Sequence, residues 1–284
     1  MAAGLNRRLV AARFIFAIAL AGSAGAPYAF EPVSLAGDFP LQVQWQPAPL
    51  DGRRPAIIAL HGCGGLYGSR SQLDGRYTSY AKRWNAMGWH VAAPDSFGSR
   101  GEGSICTQPA NQRTVKVAQR RDDVLRTAAW LSTRADVDPR RIAVVGWSNG
   151  GSTALEVLDR SLWQSALPAA FVTYYPGCGG WKRRPLVQPA APVLMLLGQA
   201  DEWTPAAPCQ ELGGRFQADY PGMVTVRTYA DGHHGFDSRS PVRFRADIPA
   251  GTDKRGVHVG GNASAREAAL AELDRFLGHH LRDK

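Results

Sequence analysis

The stretch that most constrains the fold is Ile142–Thr153, I-A-V-V-G-W-S-N-G-G-S-T, where an apolar run breaks into G-x-S-x-G and then into small, helix-compatible residues. The apolar run reads as a short buried strand, Ile142–Val145, ending at Gly146. The chain must then turn sharply at Ser148, and Gly150 and Gly151 let a helix start close against the strand it has just left. Strand, sharp turn at serine and helix make a nucleophile elbow, which holds a hydroxyl clear of a sheet beside backbone N–H groups that can receive an oxyanion. The pattern has three constant positions and the chain has 31 glycines, so chance alone can produce it. Its meaning depends on whether an acid, a base and an oxyanion loop follow in the required order.

At 284 residues the chain is long enough for one large α/β domain with a sizeable core, and nothing in it marks an internal boundary. Residues 1–29 read differently. Arg7, Arg8 and Arg13 precede the apolar run Phe14–Leu20, and small residues follow through Ala26. That run is too short to span a bilayer and fits a secretory signal peptide; the alternative is a buried N-terminal helix or strand. Cleavage is expected between Ala24 and Ala29, leaving 30–284 as a single exported domain, periplasmic or secreted, with no stable membrane insertion.

Export suits the cysteines. Cys63, Cys106, Cys178 and Cys209 allow three fully paired connectivities, and an oxidising compartment lets them pair. The expected pairs are Cys63–Cys106 and Cys178–Cys209, because each joins loops that follow strands on the same edge of the sheet. No C-x-x-C spacing supports a zinc or redox site, and neither metal nor cofactor is expected. Three arginines and no acid in residues 1–29 leave +6 of the formal charge of +9 for the remainder. The arginines are scattered without an aromatic-interleaved basic stripe, which suits solubility or anionic substrates and argues against nucleic-acid binding.

Along the chain, Pro40–Pro47 alternates apolar and polar and reads as an edge strand bounded by prolines. Pro55–Leu60 is a continuous apolar run, the look of a central strand covered on both faces. It ends in His61-Gly62-Cys63-Gly64-Gly65, a loop able to bring backbone N–H groups close to a ligand. Helical spacing over Tyr77–Met87 stops at Gly88, and Trp89–Ala93 is the next strand. Val117–Ser132 is amphipathic, with Val117, Val124, Ala128 and Leu131 on one stripe and Arg120, Arg121, Asp122 and Asp123 as solvated charge. Asp138-Pro139 closes that unit and leads into the elbow strand. Ala170–Tyr175, Pro192–Leu197 and Met223–Tyr229 read as further strands, Pro205–Ala218 and Ala263–Leu281 as helices. Strands alternating with helices predict an α/β fold, a doubly wound, mostly parallel sheet with helices on both faces.

In such a sheet functional groups gather in loops beyond the carboxyl ends of the strands. Asp201 follows the strand ending at Leu197, and His234 follows the strand ending at Tyr229, so the order is Ser148, Asp201, His234. A serine hydroxyl is a poor nucleophile at neutral pH and needs a histidine to take its proton. The histidine needs a carboxylate to hold its tautomer, and the developing oxyanion needs donors, here the backbone N–H of Cys63 and of Asn149. Glu202 competes with Asp201, and His233 with His234. His61 reads as structural, Asp95 as a turn former, and His279 and His280 as solvated residues at the last helix end.

Together L-H-G-C-G-G-L (Leu60–Leu66), A-P-D-S-F (Ala93–Phe97), G-W-S-N-G-G (Gly146–Gly151), G-Q-A-D-E-W-T-P (Gly198–Pro205) and H-G-F-D (His234–Asp237) resemble the dienelactone hydrolase family of α/β hydrolases. The resemblance runs from about Pro55 to the C-terminal helix. It implies a Ser148, Asp201 and His234 triad acting on a small-molecule ester or lactone without a cofactor. The family's namesake enzymes use a cysteine nucleophile and an acid in the oxyanion loop, so Ser148 and His-Gly-Cys-Gly-Gly point away from dienelactone itself. Those enzymes bind a substrate carboxylate through arginines, and Arg100 and Arg239 fall near the corresponding loops. Trp147, Tyr175, Trp181 and Trp203 are candidates for an aromatic wall. A serine peptidase or amidase, and a binding protein that kept the fold without turnover, are the competing readings.

Overall fold

A computed structural model describes Met1 and residues 29–68, 71–109, 111–164, 166–251 and 254–282. Apart from Met1 and Ala29, the expected leader lies outside the described residues.

Eight strands form the main sheet: β1 (Glu31–Leu35), β2 (Leu41–Gln46), β3 (Arg54–Leu60), β4 (His90–Pro94), β5 (Val137–Trp147), β6 (Ala170–Tyr174), β7 (Val193–Gly198) and β8 (Val224–Tyr229). They lie in the order β1-β2-β4-β3-β5-β6-β7-β8. From β4 through β8 every pairing is parallel, while β1–β2 and β2–β4 are antiparallel. The helices are α1 (Gly75–Ala86), α2 (Val117–Thr133), α3 (Asn149–Glu156), α4 (Ala206–Asp219) and α5 (Ala263–Leu281).

Strand residues alternate between faces, and both faces are apolar, so the sheet must be covered twice. Ala56, Ile58, Leu60, Ile142 and Val144 pack with α2, α3 and α4. Their neighbours Ile57, Ala59, Ala143, Val145 and Trp147 pack with α1 and α5. The doubly wound, mostly parallel arrangement is thus what the alternation of runs predicts.

Three expectations need correction. The proline-bounded strand β2 is internal, because the preceding segment adds β1 along its outer side. Asp138-Pro139 forms the second and third residues of the long strand β5 and is not a connector. Most consequentially, Arg120 and Asp123 on α2 are fully buried, not solvated. Arg120 lies three and four residues from Val117 and Val124, and Asp123 lies three from Arg120 and four from the buried Thr127, so both face the sheet. Between β8 and α5 the chain makes an excursion that includes a small antiparallel sheet, β9 (Arg243–Arg245) with β10 (Val257–Val259).

Candidate active site

Ser148 stands at the junction of β5 and α3 with φ 54° and ψ −115°, a left-handed conformation unusual for a residue with a side chain. Glycine is required on both sides. A Cβ on Gly146 would lie 2.2 Å from Gly150 O, and one on Gly150 would lie 2.1 Å from Leu60 O. The elbow is held to the next strand by Ser148 N–H donating to Tyr174 O at 2.9 Å.

Asp201 and His234 come from the loops after β7 and β8 and meet Ser148. His234 Nε2 is 2.8 Å from Ser148 Oγ, and His234 Nδ1 is 2.8 Å from Asp201 Oδ2. With the Nδ1 proton directed to the carboxylate, Nε2 is an acceptor for the serine hydroxyl. Asp201 is itself oriented: Oδ1 accepts the N–H groups of Trp203 and Thr204, each at 2.9 Å, and the Thr204 hydroxyl reaches Oδ2 at 2.9 Å. The imidazole contacts two rings, Tyr175 at 4.7 Å and Trp203 at 4.6 Å between centroids. Asp201 and His234 are both buried, and Ser148 is half-buried.

Beneath the histidine, the buried Asp237 accepts from Tyr175 Oη at 2.6 Å and Tyr80 Oη at 3.2 Å, and pairs with Arg76 at 3.2 Å. Burial pushes the Tyr175 phenol well up, so it remains a donor to that carboxylate. The H-G-F-D motif therefore carries a support for the Tyr175 ring as well as the histidine.

On the other side of Ser148 runs the Gly-rich loop after β3. Gly62 N–H donates to Tyr77 Oη at 2.9 Å, and Cys63 O accepts from Ile105 N at 2.9 Å. Cys63 is bonded to Cys106, and Cys178 to Cys209, the two expected pairs. Asn149 occupies the first position of α3, whose opening N–H groups have no partner within the helix. His61 is structural as expected: its Nδ1 lies 2.9 Å from Gly62 O, and burial, reinforced by Arg120, holds it well below the usual histidine range and therefore neutral.

Ser148, His234 and Cys63 open on a cavity of about 840 Å³. Of the proposed substrate contacts, Trp203 and Arg239 lie on its wall, as do Tyr175 and the Cys63–Cys106 bridge. Arg100 does not. Its guanidinium is committed to both oxygens of Asp123 at 2.8 and 2.9 Å and to Ser96 O at 2.7 Å. Trp147 is fully buried against Tyr77, Tyr80, Trp84 and Tyr174, because strand alternation turns it onto the α1 and α5 face just before the elbow. Trp181 packs on Phe216 beside α4.

The competing residues go elsewhere. Glu202 accepts from the His258 backbone and ring at 2.7 and 2.9 Å, the His233 ring lies tilted 5.7 Å from that of His258, and Asp95 Oδ1 accepts the Gly98 N–H at 2.9 Å. The sequence reading missed four arginines on the wall, Arg76, Arg83, Arg243 and Arg266. Arg76, Tyr80 and Arg83 share one face of α1 at helical spacing, a signal available in the sequence. Among the described residues no group of three or more His, Cys, Asp or Glu gathers where it could hold a metal ion, and no helix is long and apolar enough to cross a membrane.

Comparison with known proteins places this geometry. Residues 45–281 match the model of the dienelactone hydrolase family. A dienelactone hydrolase-like promiscuous phosphotriesterase from metagenomic libraries shares the fold with a TM-score of 0.67 at 18% identity, over 89% of this chain and 99% of that one. Thermogutta terrifontis esterase 2, phosphorylated by paraoxon, aligns with a TM-score of 0.61 at 19% identity, over 90% and 96%. Pyrococcus horikoshii acylaminoacyl peptidase gives 0.63 at 16% identity, over 90% of this chain and 42% of that one. The sheet order, the elbow and the family match agree, and the chain belongs to the dienelactone hydrolase family of α/β hydrolases.

Proposed function

We propose that the protein is an exported serine hydrolase that cleaves a carboxylic ester or lactone through an acyl-enzyme on Ser148. The observation that carries this reading is the unbroken relay from Ser148 Oγ to His234 Nε2 and from His234 Nδ1 to Asp201 Oδ2, 2.8 Å at each step, at the wall of an open cavity. His234 takes the serine proton as Oγ bonds to the substrate carbonyl carbon and the C=O electron pair moves to oxygen. The N–H groups of Cys63 and Asn149 receive that oxyanion. When the C–O bond breaks, the imidazolium returns the proton to the leaving alkoxide. A water then repeats the sequence, and the acid leaves Ser148. Asp201 holds the histidine tautomer and stabilises its protonated form.

Arg239, with Arg76, Arg83, Arg243 and Arg266, gives the cavity wall an excess of positive charge over Asp74 and Asp237, which favours an anionic substrate. Trp203 offers an apolar surface beside the reacting carbon. Two disulfides support maturation in an oxidising compartment. Kinetics on nitrophenyl acetate and its anionic hemisuccinate analogue test the reading. Turnover of both is expected, with the anionic ester favoured in kcat/KM, that preference falling in Arg239→Ala, and Ser148→Ala inactive. A folded parent that hydrolyses peptide amides and not esters selects the peptidase reading, and one that hydrolyses neither selects the binding protein.

A further inference from the structure

We propose that Arg120 is a positioning residue that clamps both arms of the oxyanion hole, the elbow arm through Asn149 and the β3 arm through His61. The inference rests on the serine-hydrolase reading and extends it to a residue outside the cavity. Arg120 lies in the first turn of α2 and is completely buried. Its Nη1 donates in a short contact to Asn149 Oδ1, and its Nη2 donates to His61 O at 2.8 Å. The guanidinium also packs 5.1 Å from the Phe97 ring centre, and the edge of His61 meets the same ring at 4.5 Å.

A buried cation is unfavourable unless paired, and an apolar residue at this stripe position would pack against the sheet without that penalty. Burial pushes the guanidinium down to about 10, with Asp123 opposing the fall, so it stays charged at neutral pH. What the charge secures is the relation between two loops that share no covalent link near the site. The two arms approach too closely for a side chain at Gly150 to link them, since its Cβ would lie 2.1 Å from Leu60 O and 2.7 Å from His61 O. A planar fork entering from α2 reaches one acceptor on each arm. Its charge is held on the Asn149 side chain and on His61 O, two residues before Cys63, and a positive charge fixed there favours the oxyanion over the neutral carbonyl without needing to move.

The test measures kcat and KM on nitrophenyl acetate, the rate of labelling by a fluorophosphonate, and folded fraction by circular dichroism, for the parent, Arg120→Met, Arg120→Lys and Asn149→Ala. Arg120→Met is expected to lower kcat and the labelling rate together by about 10²-fold, with KM within about threefold, because the lost contact acts on the charged state. Arg120→Lys keeps the charge and reaches one acceptor at a time, so it recovers to about tenfold below the parent. A merely structural role predicts lower melting temperatures with kcat per folded molecule unchanged. Folded Arg120→Met with kcat and labelling within about twofold of the parent overturns the clamp. Should Arg120→Met fail to fold, Arg120→Lys and Asn149→Ala decide: about tenfold losses in kcat at unchanged KM support the clamp, and parental kcat in both overturns it. A parent that takes no label overturns the serine-hydrolase reading and the clamp with it, whereas a labelling parent matched by its Arg120 variants overturns the clamp alone.

Discussion

The two disulfides close loops of similar length, 43 and 31 residues, yet they lie in regions with different work to do. Cys63–Cys106 belongs to a small cluster with Phe97, Ile105 and Val115, lines the cavity, and ties the Gly-rich loop after β3 to the irregular segment after β4. Cys178–Cys209 lies in the large core beside Trp181 and Phe216 and ties the loop after β6 to α4, away from the cavity wall. Chain-entropy arguments give each about 4 kcal/mol of stability, so the energetics of the unfolded chain hardly distinguish them. Position does: one bridge restrains a loop on the wall of the Ser148 cavity, and the other restrains packing. Equal contributions to stability need not be equal contributions to function.

The relay sets the scale for that contrast. Asp201→Asn should lower kcat by about 10⁴-fold with little change in fold, because the amide cannot hold the His234 tautomer; steady-state rates and circular dichroism check it. Next comes the bridge at the site. Replacing Cys63 and Cys106 with alanine together should lower kcat by about tenfold and the melting temperature by roughly 10 °C, as the Gly62–Cys63 donor loop loosens. Replacing Cys178 and Cys209 together should lower the melting temperature by a similar amount, with kcat at 25 °C within about twofold of the parent. Equal kcat losses in the two double variants would erase the distinction between the regions.

The smallest effect concerns the excursion after β8, which is held near the site by Glu202 and His258. The His258 backbone N–H, and then its ring, keep the Glu202 carboxyl below its ordinary range. A depressed carboxyl contributes stability above its unfolded pKa and loses it as pH falls through the lowered folded value. The pair is exposed, so its contribution is about 0.5 kcal/mol. Glu202→Gln should therefore melt about 1–2 °C lower at pH 7, and the difference should vanish in acid once the parent's carboxyl is protonated.

Most of this site was legible because its elements carry strong local signals. The elbow needs glycine at 146 and 150, apolar runs must be buried, and Ser148, Asp201 and His234 each follow such a run. What escaped was determined by orientation in three dimensions. Arg100 sits near the right loop, but Asp123 holds it elsewhere. Trp147 adjoins Ser148, yet alternation sends it into the core. Arg120 resembled surface charge because its neighbours Arg121 and Asp122 are charged, although its spacing from Val117 and Val124 already placed it on the buried stripe. Strand β1 was missed because its five residues, three of them exposed, carry no clean alternation.

The central claim is that Ser148 is the nucleophile, and the direct measurement is fluorophosphonate labelling of the folded protein, with the modified peptide located by mass spectrometry. A single adduct on Ser148, abolished in Ser148→Ala and strongly slowed in His234→Ala, is the expected result. Folded protein without an adduct, or with one that persists in Ser148→Ala, would contradict it.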